Sequence, residues 1–130
     1  MDIKELANNY HIAGYNCAQS VLCACAEYTG LDEKTALAVS AGFGGGLRSE
    51  EICGAISGAV MALGMAFPFN DSNNAEAKDK IAALAKECVA AGKEKFGCLH
   101  CRELKGDKSK CPYYIGEMAA LAEEMIKNNK

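Results

Sequence analysis

An all-α fold, a compact single domain of about five main helices covering residues 1–130, is predicted by three features of the sequence. Apolar residues recur at intervals of three and four along most of the chain. Capping residues stand in front of these apolar runs. No stretch shows the apolar–polar alternation of a half-buried strand. Length agrees, since 130 residues is single-domain size and enough to bury a core without disulfide staples. No internal repeat is present.

The elements follow in order. Residues 2–10 make a short first helix. Asn16 reads as an N-cap with Gln19 three residues on, the pattern of a capping box. Ala18, Val21, Leu22 and Cys25 mark the apolar face of that second helix, which is expected to run to about Tyr28 and stop at Gly30. Asp32 caps a third, with Leu37, Ala38 and Ala41 inward, ending in the glycine-rich loop 42–46. Ser49, with Glu50 and Glu51 in the first turn, is expected to open a central helix that ends before Pro68. The polar run 70–74 is a loop. A long helix follows from about Ala75 to Phe96, with Ile81, Leu84, Ala85, Cys88 and Val89 on its stripe. Gly97 breaks it, Cys98 to Leu104 form one or two turns, and Lys105 to Lys110 are a charged loop. Pro112 stands at the first turn of the last helix, whose stripe is Tyr114, Met118, Leu121 and Met125.

Composition narrows the function. Half the residues are hydrophobic and 24% are charged, which rules out general disorder. Fourteen basic residues against 17 acidic ones leave no excess for nucleic acid or an anionic membrane. The N-terminus is charged and lacks the apolar core of a secretory signal. Ile52 to Asn70 carries no charge over a length that can span a bilayer, but its glycines, alanines and Pro68 read as a buried helix. A cytoplasmic location is expected, where thiols stay reduced.

Against that background the eight cysteines need explaining. Thiolates are favoured at helix N-termini, where N–H groups and the dipole stabilise the anion. Cys17, Cys53, Cys98, Cys101 and Cys111 all fall near predicted helix starts. Cys23, Cys25 and Cys88 fall mid-helix or on an apolar stripe, where a thiol packs as a small hydrophobe. Cys98-Leu-His-Cys101 is the one local C-x-x-C. It is no haem-attachment motif, because Arg102 stands where histidine is required, and no strand precedes it as in thioredoxin-like pairs. By itself it is a weak zinc signal. His11 and His100 read as solvated side chains. The run 42–46 fails the nucleotide-binding glycine pattern and follows a helix, so no nucleotide site is expected. Gly54, Gly58 and Ala62, four apart, let helices approach closely or clear space beside Cys53.

Taken together, Gly14-Tyr-Asn-Cys-Ala-Gln-Ser-Val-Leu22, Gly42-Phe-Gly-Gly-Gly46, Cys53-Gly-Ala-Ile-Ser-Gly58, Cys101-Arg-Glu-Leu104 and Cys111 resemble the redox-active protein family named for its C…GCAxxG…C…C pattern. The resemblance covers about residues 5–125. It implies that Cys17, Cys53, Cys101 and Cys111 form the working site, with Cys98 an extra thiol and alternative ligand. A similar helical unit occurs in split-Soret cytochromes, but their haem-binding motif is missing here.

Three functions follow as expectations. The first is a redox centre for electron transfer or sensing, using dithiol–disulfide cycling or an iron–sulfur cluster on the four cysteines, with a redox protein as partner. The second is a structural zinc on the same residues. The third is a helical interaction module whose cysteines only pack. Small residues along a helix face make a homodimer plausible.

Overall fold

The computed structural model describes residues 1–104 and 109–130. Every regular element among them is helical: α1 (Ile3–Ile12), α2 (Cys17–Ala24), α3 (Ala26–Thr29), α4 (Glu33–Ser40), α5 (Gly54–Ala66), α6 (Ala75–Phe96), α7 (Cys101–Leu104) and α8 (Cys111–Asn129). Six of these have eight residues or more, and α3 and α7 are single turns. The expected count of about five is therefore loose. The expected charged loop falls largely on 105–108, which lie outside the described residues.

Helix α5 is the axis of the molecule. It packs against α2, α3, α6 and α8, and Ala55, Ile56, Ala59, Ala62 and Leu63 are fully buried along it. Small residues permit this crowding. A side chain on Gly58 would run into the Ala18 carbonyl oxygen at 2.7 Å, so the α2 backbone lies directly against α5. Leu22, Ile115, Met118 and Ile126 close the core around it, each worth roughly 1.5–3 kcal/mol of burial. None of the described helices is long and apolar enough to cross a membrane.

Capping chemistry sets the starts of α2, α4 and α6. At α2 the Gln19 N–H donates to Asn16 Oδ1 at 2.9 Å and the Asn16 N–H donates to Gln19 Oε1 at 3.0 Å, a complete capping box. Asp32 and Asn74 accept from the Thr35 and Ala77 N–H groups.

Two boundaries and one buried face differ from expectation. The helix opened by Asn16 does not reach Tyr28 unbroken. At Cys25 (φ −91°, ψ 12°) the N–H turns to the Leu22 carbonyl, which ends α2 before α3 begins at Ala26. On α4 the buried positions are Ala36 and Ser40, while Ala38 and Ala41 are exposed. Ser40 tolerates burial because its hydroxyl donates to the Ala36 carbonyl at 2.6 Å. The largest difference is the central helix, which begins at Gly54 rather than Ser49. Residues 51–53 are taken by another partner. The Cys53 N–H donates to the Leu99 carbonyl at 2.8 Å, and the Cys101 N–H donates to the Glu51 carbonyl at 2.6 Å. Ile52 and His100 thus form an isolated antiparallel bridge, which pulls residues 51–53 out of helix.

Candidate thiol redox site

The site grows from that bridge. In an antiparallel pair, residues on either side of a directly opposed couple turn to the other face. With Ile52 opposite His100, Cys53 and Cys101 leave the bridge on a shared face. Cys53 then serves as N-cap of α5, and Cys101 is the first residue of α7. Cys17 arrives from α2, where it is the first helical residue after the Asn16 cap.

Gly54 is what lets Cys17 in. A side chain there would collide with the Cys17 sulfur, and also with the Phe43 carbonyl oxygen and the Gly44 backbone. The Cys17 sulfur therefore lies against the residue that follows Cys53. The glycines do clear space beside Cys53, and the Cys17 thiol fills it. Asn16 secures this approach from the other side. Its side chain occupies the space a Cβ on Gly44 would need and donates to the Ala41 carbonyl at 3.0 Å.

Between helix α4 and the bridge, the chain makes a left-handed turn. Gly45, Gly46, Leu47 and Arg48 all have φ near +60°, as does Glu50. For Leu47, Arg48 and Glu50 this conformation costs roughly 1–2 kcal/mol each. Several bonds hold it. The Glu51 N–H donates to the Gly46 carbonyl at 2.9 Å. Arg102, next to Cys101, donates to Glu51 Oε1 at 2.8 Å and to the Glu50 carbonyl at 3.3 Å. The His100 ring stands 3.9 Å from the same carboxylate. The turn is thereby clamped to the segment carrying Cys101.

Electrostatics separates the thiols. Cys17 is half-buried and Cys53 is buried. Burial pushes the Cys53 thiol up to about 12, and the nearby Cys17 and Cys101 add to the rise. The Ala55 and Ile56 N–H groups at the start of α5 act in the opposite direction but do not win. The expectation that the helix N-terminus favours a Cys53 thiolate is thus corrected: the site is too dry. Cys98 is corrected too. Its thiol is raised by burial and by a hydrogen bond to Glu103, so it is engaged with a carboxylate. Cys23, Cys25 and Cys88 are buried, and burial raises them to about 11, 12 and 12. They pack as core thiols, as their sequence positions suggest.

Cys17 and Cys101 each lie close enough to Cys53 to raise its thiol. Cys111 opens α8, half-buried, with Pro112 after it as expected. Among the described residues, no three Cys, His, Asp or Glu side chains are grouped so as to hold a metal ion. His11 is bonded through Nδ1 to the Tyr15 carbonyl at 3.1 Å. Sequence reasoning missed Glu51 and Arg102, whose pairing across the bridge has no local signal. It also missed the left-handed turn, although four glycines in five positions mark a place of unusual backbone.

A family model described as "Putative redox-active protein (C_GCAxxG_C_C)" matches residues 15–125. No curated protein and no solved structure matches the chain.

Proposed function

Because the chain belongs to this redox-active C_GCAxxG_C_C family, we propose that it works by thiol–disulfide exchange, with Cys17 and Cys53 as the reacting pair. The observation that carries the reading is the seating of the Cys17 sulfur against Gly54, immediately beside Cys53. Cys17 is the more accessible of the two and is the attacking thiol. Cys53, buried and held protonated, is the resolving one.

The exchange balances without a further reactant. Cys17 loses its proton to solvent, and its thiolate attacks one sulfur of a substrate disulfide. A Cys17–substrate disulfide forms, and the substrate thiolate that leaves takes a proton from solvent. Cys53 then attacks the Cys17 sulfur, and its proton goes to the departing thiolate. The products are a Cys17–Cys53 disulfide and a substrate dithiol, with two electrons passed to the substrate. The low polarity around Cys53 suits this order, because the buried thiol stays idle until the mixed disulfide is beside it. Cys101 shares the face of the bridge with Cys53 and is the thiol that would take over from Cys17.

A second reading is an iron–sulfur cluster on Cys17, Cys53, Cys101 and Cys111. The four-cysteine pattern in the family's description favours it. Anaerobic purification with iron, sulfide and zinc analysis, followed by oxidation and mapping of disulfides, tests both. Metal-free protein that forms a Cys17–Cys53 bond supports exchange. Stoichiometric iron and sulfide lost on replacing Cys17 or Cys111 supports the cluster.

A further inference from the structure

Asn16, the residue before Cys17, is bonded through both main chain and side chain. Its N–H donates to Gln19 Oε1 at 3.0 Å, and its Oδ1 accepts the Gln19 N–H at 2.9 Å. Its carbonyl accepts the Ser20 N–H at 2.9 Å and the Ser20 hydroxyl at 2.8 Å. A helix cap needs no more than this, and serine or aspartate would supply the capping oxygen equally well. The group left over is the amide nitrogen. Asn16 Nδ2 donates to the Ala41 carbonyl at 3.0 Å, in the turn that follows α4. Gln19 is built the same way, since its Nε2 donates to the Leu37 carbonyl at 3.0 Å in the last turn of α4. Both members of the capping box are amides. Each uses its oxygen within α2 and its nitrogen on a carbonyl at the far end of another helix.

Gly44 supplies an independent observation. Its backbone, at φ −63° and ψ 149°, is extended and open to any residue. Glycine is required there for a different reason: a side chain would run into Cβ, Cγ and Nδ2 of Asn16. The same segment lies against the start of α5. A Cβ on Gly54 would stand 2.9 Å from the Phe43 carbonyl oxygen and 3.2 Å from Gly44 Cα. Segment 41–44 is therefore held by Asn16, next to Cys17, and lies against Gly54, next to Cys53.

We propose that Asn16 is a positioning residue of the thiol exchange, holding segment 41–44 between the first turns of α2 and α5 and so setting how Cys53 meets the Cys17 sulfur. The inference rests on the exchange reading above. It concerns the closing step, in which the Cys53 sulfur bonds to the Cys17 sulfur, the Cys17–substrate bond breaks, and the Cys53 proton goes to the departing thiolate. The first step, attack of Cys17 on a disulfide from solution, does not involve Cys53. Asn16 thus acts on the second step and leaves the first alone.

The test follows the two steps separately. The full chain, reduced, metal-free and anaerobic, is mixed with glutathione disulfide, then acid-quenched, alkylated and analysed by mass spectrometry. The Cys17–glutathione disulfide and the Cys17–Cys53 bond are resolved by mass. Asn16→Ser keeps a capping oxygen but is too short to hold Ala41 and fill the space at Gly44. Gly44→Ala leaves Asn16 in the chain and displaces its side chain. In both variants the mixed disulfide should form within about twofold of the parent rate and accumulate, while closure slows on the order of ten- to a hundredfold, the cost of a misplaced reacting atom. Gly64→Ala, with nothing within 4 Å of its added carbon, should close as the parent does. Closure at the parent rate in either Asn16→Ser or Gly44→Ala would overturn the positioning role and leave the exchange reading intact. So would a first step slowed as much as the second, an equal slowing in Gly64→Ala, or early alkylation of Cys88 in the slow variants, which marks a loosened core. If the parent protein forms no Cys17–Cys53 bond, the exchange reading itself fails and the positioning role with it.

Discussion

The Cys17 sulfur occupies the space that a side chain on Gly54 would need. Two helices that start almost forty residues apart in sequence, α2 and α5, thereby present their first turns to one another. The contact joins the two thiols by way of a missing methyl group.

Gly54→Ala is the direct probe of that contact. The added carbon would also stand 2.9 Å from the Phe43 carbonyl oxygen and 3.2 Å from Gly44 Cα, and backbone does not yield easily. A loss of roughly 1–3 kcal/mol is expected from overpacking, together with slower formation of the Cys17–Cys53 bond. Gly64→Ala serves as the contrast. Nothing lies within 4 Å of its added carbon, so the same change should add up to about 1 kcal/mol through helix propensity. Anaerobic urea unfolding of both variants checks this. Gly54→Ala as stable as the parent would mean that the close contact is not there.

Arg102→Ala should loosen the left-handed turn more than it lowers global stability. Arg102 and Glu51 are both about half exposed, so their pair contributes at most about 1 kcal/mol. The Arg102 side chain also reaches the Glu50 carbonyl, and a lysine cannot present the same two donors. Hydrogen exchange of amides 46–51 should quicken in both Arg102→Ala and Arg102→Lys. Unchanged exchange in both would show that the turn does not depend on the clamp.

Stability should fall as pH rises above about 9. Burial raises Cys25, Cys53 and Cys88 from the ordinary 9.0 to about 12, and Cys23 to about 11. In the unfolded chain these thiols ionise near the ordinary value, whereas the folded chain keeps the protons. The unfolded state binds fewer protons across that interval, so the slope of stability with pH is negative there. The contribution is complete below pH 9. Tyr10, raised from 10.0 to about 12, adds to the loss only at higher pH. Urea midpoints under reducing conditions should drop as pH rises from about 9 to about 11, and Cys88→Ala should flatten the drop. A midpoint constant over this range would contradict the burial of the thiols.

Alkylation of the native, reduced protein should follow exposure. Half-buried Cys17 and Cys111 should label early, and Cys23, Cys25 and Cys88 last. Cys98 is equally half-buried, but its bond to Glu103 should delay it relative to Cys17. Peptide mass spectrometry over time gives the order. Labelling of Cys88 before Cys17 would reverse the division between working and packing thiols.

Much of this was legible in the sequence because the signals were local. The Asn16–Gln19 capping box, the Asp32 cap, the 75–96 stripe and the helix opened by Cys111-Pro112 are each written within a few residues. The start of α5 was not. Ser49-Glu-Glu51 is a good helix opening by local rules, and the bridge to residues 99–101 overrides it with hydrogen bonds across nearly fifty residues. The same override decides the chemistry. Sequence places Cys53 near a helix start and argues for a thiolate, but the walls that dehydrate it come from distant segments. Likewise the resemblance names Cys17 and Cys53, but that Gly54 exists to admit Cys17 becomes visible only when α2 and α5 are packed.

The pairing of Cys17 with Cys53 is tested most directly by mapping the first disulfide to form. The protein is purified anaerobically, freed of any metal and reduced, then exposed to a limiting amount of oxidised dithiothreitol or glutathione disulfide. Remaining thiols are alkylated and the peptides analysed. The account predicts that a Cys17–Cys53 linkage appears first and that Cys17→Ser abolishes it without unfolding the chain. A first linkage that leaves Cys17 and Cys53 both reduced, such as one confined to Cys98 and Cys101, would contradict it.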